Sequence, residues 1–213
     1  MISSSTFQKR FSPGALAFIG LFFLALTGLG CSPSDGAAKK TESAAKKTES
    51  VAEKTESADT GFKTLSAEDK TNQLKVKIKV PTDWKSRNDL NDDAVIQASN
   101  KADTLFLVVI SEPKDQFDQG TKLEDYADIV IQNYLEKTEG QSSEKPIKTT
   151  VNGRPALQYE IERKMNKIVS VKLYFVVIKG VEGFHQVLVW TLSSNWEKKQ
   201  AELKSIVNSF QEV

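Results

Sequence analysis

The sequence predicts an α+β fold in which helices pack on a largely antiparallel β-sheet. Three observations lead to this prediction. After Gly61, short runs of alternating apolar and polar residues recur, which is typical of strands with one buried face. Two longer segments carry apolar residues at helical spacing. The first 60 residues show neither pattern and instead predict a signal peptide (1–30) and a low-complexity linker (31–60), which leaves 61–213 as the globular domain.

The first 30 residues are organised as a secretory signal peptide. A polar lead containing Lys9 and Arg10 precedes an apolar run of 15 residues, Ala15–Leu29. That run is shorter than the ~20 residues needed to cross a bilayer core, so a permanent membrane helix is the weaker alternative.

The only cysteine of the chain, Cys31, directly follows this signal. The residues "LTGLGC" resemble a bacterial lipobox, in which small residues precede a cysteine that is acylated and becomes the new N-terminus. The resemblance implies that the signal peptidase recognises Gly28, Leu29 and Gly30, and that Cys31 carries palmitate-type chains. Two or more such chains hold a protein stably on a membrane. Gly28 and Gly30 also satisfy the small-x-small rule of the ordinary signal peptidase, which would release a soluble protein.

Residues 31–60 are predicted to form a tether. From Ala37 the chain reads "AAKKTES", "AAKKTES", "VAEKTES", a repeat of seven residues. The seam of such a repeat would consist of Thr, Ala and a single Val, which bury too little apolar surface for a coiled coil. A solvated linker is the favoured interpretation and a transient helix is the alternative, since isolated helices of this kind are marginal in water.

The globular part begins with strands. The segment "LKVKIKV" places Leu74, Val76, Ile78 and Val80 on one face and three lysines on the other, and "AVIQAS" and "TLFLVVIS" follow as two more strands. The lysine row is interpreted as a solvated face, with an anion-binding stripe as the alternative.

A helix is predicted over "TKLEDYADIVIQNYLEK", with Thr121 and Glu124 at capping-box spacing. The second half reads as strands joined at Asn152-Gly153, near Asn166 and at Glu182-Gly183, of which Asn-Gly is a strong hairpin signal. Ser194 and Glu197 have the spacing of a second capping box, before a closing helix.

Three groups of residues in this region carry a family resemblance. They are Val80-Pro81 with Trp84, the segment "VNGRPA" from Val151 to Ala156, and Ile206 with Ser209-Phe210. With them, residues from about 62 to 210 resemble the PsbP-like superfamily, which includes bacterial lipoproteins of the DcrB type. The resemblance implies an α/β/α sandwich and a binding or assembly module rather than an enzyme.

Few residues suggest catalysis. His185 is the only histidine, and with no cysteine in the domain it cannot complete a common zinc site. A structural role is therefore favoured for His185. Ser193 and Ser194 lie near it in sequence and permit a hydrolase interpretation, although helix capping already accounts for Ser194.

Two further patterns in the sequence resemble binding sites. Asp89, Asn91 and Asp93 match the first positions of an EF-hand loop, but Ala94 and Asn100 stand where the loop needs Gly and a bidentate Glu. A polar loop is therefore predicted, with a weak surface cation site, helped by Asp92, as the alternative. The aromatic residues are interpreted as packing rather than as a ligand cage; these are Trp84, Trp190, Trp196, Tyr126 and Phe175.

The net charge of the globular domain limits the kinds of partner it can attract. Of 29 basic and 28 acidic residues, two basic residues lie in 1–30 and five basic and six acidic residues lie in 31–60, so 22 of each remain in 61–213. A neutral domain has no broad electrostatic attraction to nucleic acid.

The sequence thus predicts no catalytic residue, no cofactor and no metal ligand. We expect a bacterial envelope lipoprotein on the extracytoplasmic side of a membrane, whose domain binds an envelope protein. A small-ligand-binding exported protein is the alternative, and a hydrolase is a weaker one.

Overall fold

The computed structural model describes residues 61–69, 74–138, 141–142 and 145–213. Everything predicted for the signal peptide and the tether lies outside these residues. Eleven strands and two α-helices make up the described part of the chain. In chain order they are β1 (Phe62–Asp69), β2 (Leu74–Pro81), β3 (Lys85–Ser86), β4 (Ile96–Asn100), β5 (Leu105–Pro113), α1 (Leu123–Thr138), β6 (Gln141–Ser142), β7 (Ile147–Val151), β8 (Arg154–Lys164), β9 (Ser170–Lys179), β10 (Gly183–Leu192), α2 (Trp196–Asn208) and β11 (Gln211–Glu212).

The larger of two sheets follows the order β3-β4-β5-β10-β9-β8-β6, with β7 also paired to β8. Every pairing in it is antiparallel. The nearly apolar strand β5 lies inside this sheet, as its composition predicts. The α+β fold with a largely antiparallel sheet is confirmed.

The lysine-rich strand β2 belongs instead to a second, three-stranded sheet of order β1-β2-β11. Its alternation is as predicted, because the four apolar residues of β2 are buried while Lys75 and Lys79 are exposed. The separate sheet arises because β2 pairs with β1 before it and with β11 at the end of the chain. Short-range sequence pattern carries no information about that second partner.

Two apolar cores lie on opposite faces of the large sheet. One is formed with α1 and includes Phe175 and Phe184. The other is formed with α2 and the small sheet and includes Trp84 and Phe210. Because residues alternate across β10, His185 faces the α2 side and Gln186 faces the α1 side.

The helices bury the predicted faces but begin differently from the predictions. Helix α1 starts at Leu123, while the Thr121 hydroxyl donates to the Asp118 carbonyl instead of capping the helix. The backbone N–H of Lys122 donates to Asp125 Oδ2 at 3.3 Å.

The prediction of a second capping box, at Ser194 and Glu197, is also wrong. A short 3₁₀ turn occupies residues 193–195, and α2 starts at Trp196 without a side-chain cap from Asn195. Glu197 accepts a hydrogen bond from Gln200 at 3.0 Å.

The Asn152-Gly153 hairpin is confirmed. Asn152 and Gly153 have φ angles of 46° and 75°, the left-handed conformation that a tight turn between twisted strands requires. At the β8–β9 turn, Asn166 Oδ1 accepts hydrogen bonds from the N–H groups of Ile168 and Val169, both at 2.8 Å. Within the described residues, neither helix combines the length and the apolar character needed to cross a bilayer.

Candidate functional site

The lipid attachment site predicted at Cys31, with signal-peptidase recognition at Gly28, Leu29 and Gly30, lies outside the described residues. It stays a prediction.

The loop that resembles part of an EF-hand is held by its own hydrogen bonds. The Arg87 guanidinium donates to Asp89 at 2.7 Å and lowers the pKa of that carboxyl group. Asn91 Oδ1 accepts from the N–H of Asp93 at 2.8 Å, and Gln97 Oε1 accepts from the N–H of Leu90 at 2.7 Å. No cluster of three metal-ligating side chains occurs among the described residues.

The other patterns have structural explanations. The five aromatic residues named as an alternative ligand cage are buried in the two cores. In the lysine row, Lys75 forms an ion pair with Glu68 at 3.0 Å on the outer face of the small sheet, and both side chains are about half exposed. Ser193 Oγ donates to Glu162 at 3.2 Å and Ser194 is exposed.

The candidate site is a cavity of about 200 Å³ on the α2 side of the large sheet. Its floor comes from β9 and β10, one wall from the β7–β8 hairpin, and another wall from the C-terminal segment. The lining residues are Val151, Asn152, Arg154, Ile178, Gly180, His185, Phe210, Gln211 and Glu212.

His185 is the most buried polar group in this cavity, with 0% of its surface exposed. It lies directly opposite Ser111 in the β5–β10 register, and its Nδ1 is hydrogen-bonded to Ser111 Oγ at 3.0 Å. Its Nε2 lies 3.5 Å from Glu212 Oε1, which is longer than a direct hydrogen bond. Nε2 therefore interacts with the Glu212 charge but has no hydrogen-bond partner among the described residues.

Glu212 closes the cavity from the edge strand β11. Its carboxylate accepts hydrogen bonds from the backbone N–H groups of Val181 and Glu182, the latter at 2.8 Å. Burial works against its ionisation, but the adjacent His185 ring and the two N–H groups outweigh burial and lower the pKa of Glu212 to about 2. Glu212 is therefore a carboxylate at neutral pH.

Gly180 provides the space in which these two side chains meet. A Cβ at this position would come within 2.5 Å of Glu212 Oε2 and 2.6 Å of His185 Nε2. Any other residue here would displace the carboxylate or the imidazole.

Arg154 and Asn152 lie at the exposed end of the cavity. The amide of Asn152 is engaged, because it donates to the carbonyls of Asn208 and Phe210. Among the described residues, Arg154 forms no ion pair.

A second polar cluster lies on the other face of the same strands. Gln186 donates to Tyr126 Oη at 2.8 Å and to Glu112 Oε2 at 3.1 Å, and the Tyr126 hydroxyl also donates to Glu112. Burial raises the pKa of Glu112 and, together with the Glu112 charge, raises that of Tyr126 well above its ordinary value. This cluster lies against α1, where Tyr126 stacks on Phe184 with ring centroids 4.5 Å apart.

Of the residues around the cavity, sequence reasoning weighed only His185 for chemistry, whereas Asn152 was assigned to a turn and Arg154 to the family resemblance. Ser111, Gly180 and Glu212 come from three separate elements, and none belongs to a motif. The available signal was weak: a serine near the end of a mostly apolar strand and a histidine in another strand are seen to be neighbours only when the two strands are paired in register.

Comparison with solved structures gives the fold. The solution structure of cyanobacterial PsbP (CyanoP) from Synechocystis sp. PCC 6803 matches with a TM-score of 0.51 at 10% identity, covering 73% of this chain and 95% of that one. The chain has the PsbP-like fold. LpqN of Mycobacterium tuberculosis, described as involved in cell envelope biogenesis, matches this chain with a TM-score of 0.48 at 15% identity, covering 73% of this chain and 93% of LpqN. No protein-family model and no curated protein matches the sequence.

Proposed function

We propose that this protein is a bacterial envelope lipoprotein whose PsbP-like domain binds another envelope protein as a non-catalytic assembly module. Cys31 attaches it to a membrane, and residues 31–60 carry the domain clear of the lipid headgroups. The lipobox-like segment supports the attachment, and the low-complexity repeat supports a spacer role. The fold supports a domain that functions through its surface.

The observation that carries the non-catalytic part is the position of Ser111 relative to the cavity. A serine nucleophile must reach its substrate while a base takes its proton. Ser111 Oγ is hydrogen-bonded to His185 Nδ1, which is the contact that a base needs, but Ser111 is not among the residues that line the cavity. The carboxylate lies on the opposite ring nitrogen, beside the cavity. That Ser111 does not line the cavity supports a role in which the group joins β5, β10 and β11 rather than one in which the serine attacks a bound molecule.

The exposed apolar residues favour a modest, largely polar interface. The large ones are Phe62, Ile147, Ile168, Val181 and Val213. They belong to two strand starts, two turns and the chain end, and scattered apolar residues are normal on a protein surface. Transient partners use interfaces about as polar as the rest of the surface.

In-cell crosslinking tests this proposal. The full chain, tagged at its C-terminus, is expressed beside a Cys31→Ala variant, crosslinked and purified, and the intact mass of each protein is measured. We expect an acylated mass for the wild type only, and one reproducible envelope protein that is recovered less with the variant. A Cys31→Ser variant, which keeps a polar side chain but cannot form the thioether, controls for changes in export.

Two results would contradict the proposal in separable ways. An unmodified mature mass of the wild type would remove the anchor. An acylated protein that crosslinks to no envelope protein would keep the anchor and remove the assembly role.

A further inference from the structure

The outer face of the small sheet carries more positive charge than its one ion pair balances. Strand β2 places Lys75, Lys77 and Lys79 on this face, which we call the lysine face. Alternate residues of a strand are ~7 Å apart, so the three side chains form a row. Lysines often protect the free edge of a sheet. Here β2 is the central strand, between β1 and β11, so edge protection does not account for the row.

The neighbours of Lys77 and Lys79 on this face are neutral. Residues directly opposite each other in antiparallel strands lie on the same face of the sheet. Thr64 of β1 lies opposite Lys79. Lys77 lies between Ser66 of β1 and Gln211 of β11. Neither lysine therefore has a carboxylate side chain directly opposite it.

The third lysine of the row has an acidic neighbour. Glu68 lies opposite Lys75 and forms the ion pair with it at 3.0 Å. In the strands that the structure describes, the register places no other acidic side chain on the lysine face. Three lysines and one glutamate leave an excess of two positive charges on it. An anionic surface that approached this face would relieve the repulsion within the row.

Two exposed apolar side chains lie at opposite ends of the lysine face. Phe62 is opposite Pro81 and is 43% exposed. The N–H of Val213 donates to the Lys75 carbonyl at 2.9 Å, which places Val213 beside Lys75, and Val213 is 67% exposed. Ammonium groups bind lipid phosphates, and apolar side chains enter the boundary between headgroups and acyl chains. The lysine face therefore has the chemistry that suits the surface of an anionic membrane.

The predicted tether joins the domain at this face. The carbonyl of Gly61 accepts a hydrogen bond from the N–H of Thr82 at 3.1 Å, which fixes the chain directly before Phe62. A flexible tether of the length of residues 31–60 averages ~30 Å and reaches at most ~100 Å, so it lets the domain return to the membrane. Because a tether keeps the domain at a high effective concentration near the lipid, weak contacts are sufficient for docking.

We propose that the lysine face docks on the anionic headgroups of the membrane to which Cys31 is attached. This inference rests on the proposed attachment and adds the orientation of the attached domain. The small sheet packs on the α2 side of the large sheet, so docking through its outer face leaves the α1 side facing away from the lipid.

Acetylation of lysines tests this orientation in the full-length protein. The protein, purified from expressing cells, is added to preformed vesicles of phosphatidylcholine alone or of phosphatidylcholine and phosphatidylglycerol in equal parts. A water-soluble acetylating reagent is then added, and the modification of each lysine is measured by mass spectrometry. Lys148 is the internal reference, because it lies on the α1 side, where it pairs with Glu124.

We expect acetylation of Lys77 and Lys79 to be lower in the anionic vesicles than in the neutral ones. The decrease should be about fivefold or more, since each lysine near an anionic surface strengthens binding by about that factor. Acetylation of Lys148 should be equal in the two. Adding salt should remove the difference, because it screens exposed charges.

Two double variants separate the lysine face from positive charge in general. Lys77→Gln combined with Lys79→Gln should raise the acetylation of Lys75 in anionic vesicles to its level in neutral vesicles. Lys164→Gln combined with Lys167→Gln removes the same charge near the β8–β9 turn and should leave the protection of the lysine face unchanged. All four side chains are on the surface, so both variants should fold.

The intact mass of the same sample separates this inference from the proposed anchor. If the mass shows no acylation, the protein is incubated with an excess of the same vesicles, and the same pattern of protection is expected without the anchor.

Three outcomes would overturn the proposal. Equal acetylation of Lys77 and Lys79 in the two kinds of vesicle would mean that anionic lipid does not bind the lysine face. Equal protection of Lys148 would mean that the domain has no preferred orientation. Protection in cell envelopes but not in anionic vesicles free of other proteins would assign the lysine face to a protein partner.

Discussion

The side-chain amide of Asn152 donates a hydrogen bond to the backbone carbonyl of Phe210, so the tip of the β7–β8 hairpin holds the C-terminal segment. The same amide donates to the carbonyl of Asn208 at 3.1 Å. One residue thus serves both the turn, through its positive φ, and the wall of the cavity.

Replacing Asn152 with Gly should lower the free energy of unfolding by about 1–2 kcal/mol, because glycine tolerates the positive φ but cannot make the two hydrogen bonds. Asn152→Ala should cost a further ~1 kcal/mol from backbone strain. Urea denaturation followed by circular dichroism measures both. If Asn152→Gly were as stable as the wild type, the amide contacts would contribute nothing.

Glu212 should make the free energy of unfolding of the domain depend on pH in the acidic range. Its pKa is about 2 in the folded protein and near 4.5 when unfolded, so the stabilisation is complete above pH 4.5 and is lost as the pH falls toward 2. Glu212→Gln should be less stable than the wild type at pH 7 and should show a flatter profile between pH 5 and 2. Glu182→Gln, in the same loop, is the matched control because only its backbone N–H takes part. A profile of Glu212→Gln that paralleled the wild type would contradict the assignment.

Glu112 should have the opposite pH dependence. Burial raises its pKa in the folded protein, so the folded state binds more protons than the unfolded state and loses stability as the pH rises through the folded-state pKa. Glu112→Gln retains an acceptor for Tyr126 and Gln186 but has no charge to bury. We expect it to match or exceed the wild type at pH 8 and to lose this advantage at pH 4. Thermal denaturation at the two pH values measures the difference in melting temperature between the variant and the wild type. A variant destabilised equally at both pH values would show that burial of the Glu112 charge does not lower the stability of the wild type.

Trp84 should be among the most important residues for stability. Its side chain is fully buried and its Nε1 donates to Glu202 at 3.3 Å. Trp84→Ala should cost about 3–5 kcal/mol through the cavity it leaves. Trp84→Phe should cost less, because the ring space stays largely filled. Glu202→Gln keeps the acceptor and should be close to the wild type; equal losses in Trp84→Phe and Trp84→Ala would mean that the hydrogen bond, not the volume, matters.

The sequence was sufficient for elements whose pattern is local. The alternation of β2, the apolar run of β5 and the Asn152-Gly153 turn each predict their own structure, because neighbouring residues alone determine the periodicity and the turn. Helix starts were predicted less well, since Thr121 could bond to Asp118 as readily as to the helix.

Long-range features could not be predicted in this way. Strand β11 has two residues, too few for any period, and its pairing with β2 follows from where α2 ends. The candidate site depends on the same event, because Glu212 reaches His185 only once β11 is in place. Residues that acquire their role through a distant pairing leave no mark in a local pattern.

The pairing of β11 with β2 also sets the order in which the domain can assemble. Glu212 of β11 lies opposite Val76 of β2, near the start of the domain, so the small sheet closes only after almost the whole chain is available. During synthesis or export, the β1–β2 hairpin must therefore wait for the final residues before its free edge is covered. Contacts so far apart in sequence carry a high loop-closure cost, so the step that closes the small sheet and shapes the cavity should slow the folding of this domain.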